Sequence, residues 1–126
     1  MNAYMIWTSD RPGVAASIFE AAAARNVNVN VAYGLADGTI GLILVGSDDE
    51  PGLQDALADA NLVGTPIEMV ITELENRPGT GAVLFRKIAA AGVSLRFAVP
   101  VGMSGDNVQI GLGADDAAAL KAAIGA

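Results

Sequence analysis

The chain has 126 residues, a formal net charge of −7 and 52% hydrophobic residues at a mean hydropathy of +0.45. Such hydrophobicity excludes a disordered polypeptide. Seven basic against fourteen acidic side chains argue against nucleic acid or an anionic membrane, because those partners need Lys and Arg to neutralise phosphate.

In chain order, a strand is predicted over residues 3–8, followed by Asp10-Arg11-Pro12-Gly13. Proline suits the first turn of a helix, where its missing N–H costs nothing. Val14, Ile18 and Ala22 then recur at i, i+4, which places them on one helical face. Asn26 is a residue type that tolerates the left-handed conformation closing a helix. A β-branched strand is predicted over 27–33. Asp37-Gly38 makes a hairpin turn into a third strand, whose apolar run at 40–45 is far too short to cross a bilayer. A closing helix over 51–60 is opened by Asp48-Asp49-Glu50, read as a solvated helix start because calcium-loop spacing is absent. No basic region precedes an apolar stretch at the N-terminus, so no signal peptide is expected and cytoplasmic residence is the default.

The same order returns 66 residues later. Positions 10–32 align with 76–98 at nine identities in 23 pairs, four of them alanine in an alanine-rich chain. The weight rests on Arg11-Pro12-Gly13 against Arg77-Pro78-Gly79, Phe19 against Phe85, and Asn26 against Gly92. In the second copy strands are predicted over 67–74 and 93–101, and the next strand alternates, with Val108, Ile110 and Leu112 on one face and Gln109, Gly111 and Gly113 on the other. That alternation describes a sheet covered on one side. A helix over 116–124 closes the copy. The expected fold is therefore α+β: two ferredoxin-like βαββα units, 1–65 and 66–126, each an antiparallel sheet with helices on one face. Neither copy has room for the fourth strand of a complete βαββαβ unit. The first strands are then free to pair with each other or with another chain, and a homodimer is expected.

Strand, Asp/Asn-Arg-Pro-Gly, amphipathic helix, Asn/Gly cap and Val-Asn-Val together resemble the ACT family of small regulatory domains. Asp10-Arg11-Pro12-Gly13-Val14 and Asn26-Val27-Asn28-Val29 match its motifs closely. Asn76-Arg77-Pro78-Gly79 and Gly92-Val93-Ser94-Leu95 depart at Thr80 and Ser94, where the family has an aliphatic residue and an asparagine. The resemblance spans essentially the whole chain as a tandem pair without a catalytic domain. It implies a regulatory protein that binds small molecules, most often amino acids, at interfaces formed by the turn before the first helix and the start of the second strand.

The residues fit that chemistry. Free N–H groups at Gly13 and Val14 open a helix and suit a carboxylate, while Asp10 and the amide oxygen of Asn28 are acceptors for an ammonium. Asn76, Gly79, Thr80 and Ser94 are the counterparts, expected to carry less charge. Phe19 and Phe85 are read as core residues. The chain has neither histidine nor cysteine, which removes the commonest general base, the strongest nucleophile, disulfides and thiolate metal sites. Gly79-Thr80-Gly81 fails as a dinucleotide fingerprint because Leu84 replaces the third glycine. The leading expectation is a non-catalytic amino-acid sensor without cofactor or metal, acting on an enzyme not identified by the sequence. The alternative is an assembly module that binds no small molecule.

Overall fold

The chain runs β1 (Asn2–Ser9), α1 (Val14–Ala24), β2 (Val31–Ala36), β3 (Ile40–Gly46), α2 (Glu50–Asp59), β4 (Thr65–Glu75), α3 (Thr80–Ala90), β5 (Leu95–Ser104), β6 (Asn107–Ala114) and α4 (Ala117–Ile124). The structure, a computed structural model, describes residues 1–125. It is α+β and divides into two compact units, Met1–Ile67 and Glu68–Ala126.

In the first unit β3 lies between β2 and β1 and runs antiparallel to both, with Ile43 opposite Gly34 and Ile6. Both helices pack on one face of these strands. Tyr4 and Ile6 of β1, Val45 of β3, Ile18 and Ala22 of α1, and Leu53, Ala56 and Leu57 of α2 form one buried cluster. The Tyr4 hydroxyl accepts a hydrogen bond from Gln54 Nε2 at 2.6 Å, so its polar tip is satisfied. In the second unit β6 lies between β4 and β5, with Leu112 opposite Val70 and Ala98. Val70, Leu112 and Ala114 pack there against Leu84 and Ile88 of α3 and Leu120 of α4. Leu53 and Leu120 are wholly buried, and each contributes about 1.5–3 kcal/mol through removal of apolar surface from water.

The i, i+4 reading of α1 holds, since Val14, Ile18 and Ala22 are its buried residues. Asn26 (φ 56°) and Gly92 (φ 72°) both occupy the left-handed region after their helices. Three expectations change. Residues 27–30 lie outside β2: the Asn30 N–H donates to Gly46 C=O at 2.9 Å, but Asn28 C=O accepts from Ser47 Oγ and Asn30 Oδ1 accepts from the Asp48 N–H, so side chains claim groups a ladder would use. The helix-free face of β6 is not open, because Met69 and Val101 lie over Gly111 and the Phe97 ring lies over Gly113, leaving no room for a Cβ. Phe19 and Phe85 are not core; they are 47% and 41% exposed. Their positions, five residues after Val14 and Thr80, fall on the flank of each helix rather than over the sheet.

Candidate functional site

The four helices begin in two different ways. Asp49 and Asp116 cap α2 and α4, accepting from the N–H groups of Gly52 and Ala119 at 3.0 and 2.9 Å. Helices α1 and α3 are preceded by Gly13 (φ 93°, ψ −6°) and Gly79 (φ 93°, ψ −18°), with no side-chain cap. A left-handed bend of this kind is open to glycine and strained for L side chains. The bends leave the first amides of α1 and α3 without a capping acceptor among the described residues, and a Cβ added at either glycine would meet nothing within 4 Å.

A cavity of about 260 Å³ lies beside the first bend, between the β1–α1 turn and strands β2 and β3. Asp10 and Arg11 supply its charge, and Val14, Leu35, Leu42 and Ile43 its apolar wall. The hairpin positions this turn: the Asp10 N–H donates to Thr39 C=O at 2.8 Å. The hairpin tip is itself tied by Asp37, whose carboxylate accepts from the N–H groups of Ile40 and Thr39, both at 2.8 Å. Those two backbone donors hold the Asp37 carboxyl below the usual carboxylate range. Arg11 has no acidic group within 4 Å among the described residues.

A larger cavity, about 530 Å³, lies beside the second bend, lined by Glu73, Glu75, Arg77, Pro78, Gly79 and Thr80 among others. The polar groups here are largely engaged. Arg77 pairs with Glu75, and Thr80 Oγ1 donates to Glu75 C=O at 2.8 Å and Arg77 C=O at 3.1 Å. Ligand pockets commonly span about 300–1,000 Å³, so the first is small and the second ordinary. The expected charge order is reversed: alternate β4 residues Glu73 and Glu75 bring more carboxylates to the second bend than Asp10 brings to the first. Their period-2 spacing was the signal that could have shown it.

Asp10, Arg11, Pro12, Gly13 and Val14 form one continuous bend, and Asn76, Arg77, Pro78, Gly79 and Thr80 the other. Asn28 and Ser94 stand elsewhere. Ala3 and Val31 both pair with Gly46, whereas Ser9 pairs with Ile40, so the start of β2 lies level with the start of β1. Asn28, just before β2, is therefore a strand's length from Asp10, and Ser94, just before β5, is equally remote from Asn76. Among the described residues no group of three or more His, Cys, Asp or Glu is arranged to hold a metal ion, and no helix is long and apolar enough to cross a membrane.

No protein-family model matches the chain, and no curated protein matches it. Solved structures do. Protein BT0572 from Bacteroides thetaiotaomicron superposes with a TM-score of 0.81 at 15% identity, covering 98% of this chain and 85% of that one. The ligand-free regulatory subunit of aspartate kinase from Thermus thermophilus gives 0.63 at 22%, covering 98% and 89%. The corresponding subunit from Thermus flavus gives 0.61 at 21%, covering 99% and 92%. At these identities the likeness is one of fold. It supports the ACT-like fold that the motifs implied.

Proposed function

We propose that this chain is a non-catalytic regulatory protein of the ACT type, a tandem of repeats 1–65 and 66–126 that binds amino acids at its two glycine bends. The observation that carries the reading is the contrast among helix starts. Aspartates occupy the cap positions of α2 and α4, while α1 and α3 begin at glycines with uncapped amides beside cavities. Uncapped amides at a helix start attract a carboxylate; Arg11 adds a cation at the first bend, and Glu73 and Glu75 suit an ammonium at the second. The fold shared with regulatory subunits of aspartate kinase supports the same reading. Asn28 and Ser94 would reach a ligand at these bends only from outside their own unit, and a cytoplasmic homodimer supplies that opportunity. Ligand binding at such an interface regulates a partner enzyme by mass action, without chemistry of its own.

Titration calorimetry with each of the twenty amino acids, paired with thermal unfolding, tests the proposal. A ligand at 100 times its dissociation constant stabilises by about 2.7 kcal/mol, a shift of several degrees in the midpoint. The absence of both heat and shift with all twenty refutes it. A second reading, an assembly module without a small-molecule ligand, then takes its place; the exposed Trp7, Leu35 and Ile40 on the strands of the first unit favour it.

A further inference from the structure

Phe19 and Phe85 occupy equivalent positions in the two copies of the motif, and both are left about half exposed. Each is the sixth residue of an eleven-residue helix, and so its midpoint. Small residues stand one turn to either side: Ala15 and Ala23 around Phe19, Gly81 and Ala89 around Phe85. The Phe85 ring leans back toward Gly81, as aromatic side chains on helices do. On a flank with one aromatic between small residues, the small positions leave a hollow on either side of the ring, into which the ring of a crossing helix fits at the usual axis separation of about 8–10 Å.

The charges beside the two phenylalanines differ. Glu20 follows Phe19, and Arg86 with Lys87 follows Phe85. Among the described residues none of these three has an ionic partner, whereas Arg25, Arg77, Arg96 and Lys121 are each paired with a nearby carboxylate. Pairing α1 with another α1 brings Glu20 against Glu20. Pairing α3 with another α3 brings Arg86 against Arg86, while Lys87, two residues from Phe85, turns to the other side of the helix. Only α1 against α3 sets opposite charges together, and like charges across an interface select strongly against the wrong pairing. In an antiparallel crossing at the two midpoints, Glu20 and Arg86 each lie one residue past the centre, about 3 Å apart along the axis at 1.5 Å per residue.

We infer that the flanks of α1 and α3 are an interface between two copies of this chain, α1 of one against α3 of the other, centred on Phe19 and Phe85 and selected by Glu20 and Arg86. The inference rests on the homodimer reading above and is independent of the ligand. Sedimentation velocity on the full chain over a range of concentrations tests it. Glu20→Arg and Arg86→Glu alone should each weaken self-association about tenfold, and an equal mixture of the two variants should restore it, because every α1–α3 contact between the two variants is again complementary. Phe19→Ala and Phe85→Ala, with folding checked by circular dichroism, should weaken association at least about tenfold, as loss of a central aromatic does. A dimer indifferent to all four substitutions overturns this interface and leaves the homodimer standing. A chain monomeric throughout overturns both.

Discussion

The two bends share a backbone and differ in what their side chains are free to do. Gly13 and Gly79 have the same φ, and each leaves a helix start uncapped. At the second, Glu75 occupies Arg77, and Thr80 turns its hydroxyl onto two carbonyls of the turn itself. At the first, Val14 replaces that threonine, and among the described residues Arg11 makes no ion pair. A motif can thus conserve a bend, which depends on one φ value, without conserving the inventory of free donors around it. Ligand chemistry follows the inventory.

The largest test of this difference is at the two arginines. A hydrogen bond to a charged group contributes about 1.5–3 kcal/mol, so Arg11→Ala should weaken amino-acid binding at the first bend roughly 10- to 100-fold by calorimetry. Arg77→Ala should change binding by less than about threefold, because an exposed pair already holding that side chain is of small energy. Equal losses would erase the distinction drawn here. Next come the glycines. Gly13→Ala and Gly79→Ala each force a side chain into the left-handed region and should each lower stability by about 1–2 kcal/mol in urea unfolding, alike at both bends because the backbone is alike.

Thr80→Ala removes the tie that distinguishes the second bend and should lower stability by about 0.5–1.5 kcal/mol; the same readout for Val14→Thr tests whether the first bend can accept that tie. The smallest effect is one of pH. The Asp37 carboxyl titrates below its ordinary value of 3.8 because Ile40 and Thr39 donate to it. A lowered folded-state pKa gives stability that is fully present above the unfolded value and is lost as pH falls through the folded one. Acid unfolding below about pH 4 should therefore be gentler in Asp37→Asn, with the hairpin that holds Asp10 loosening first in the native chain. An unchanged acid limb would remove Asp37 from the account of the first bend.

The apolar faces of α1 and α3, the left-handed closures at Asn26 and Gly92, and both glycine bends were legible in the residues, because each depends on a few neighbours and one local geometry. The separation of Asn28 from Asp10 was legible too, had the connection been followed: β1 and β2 both run antiparallel to β3 and so are parallel to each other, and a crossover helix returns the chain to the level where the first strand began. Burial of Gly111 and Gly113 under Met69, Val101 and Phe97 and exposure of Phe19 and Phe85 were decided by tertiary structure alone. The periodicity of a segment says which of its residues share a face. Whether that face meets a core, a neighbouring side chain or water depends on segments distant in sequence, and only the packed fold brings those together.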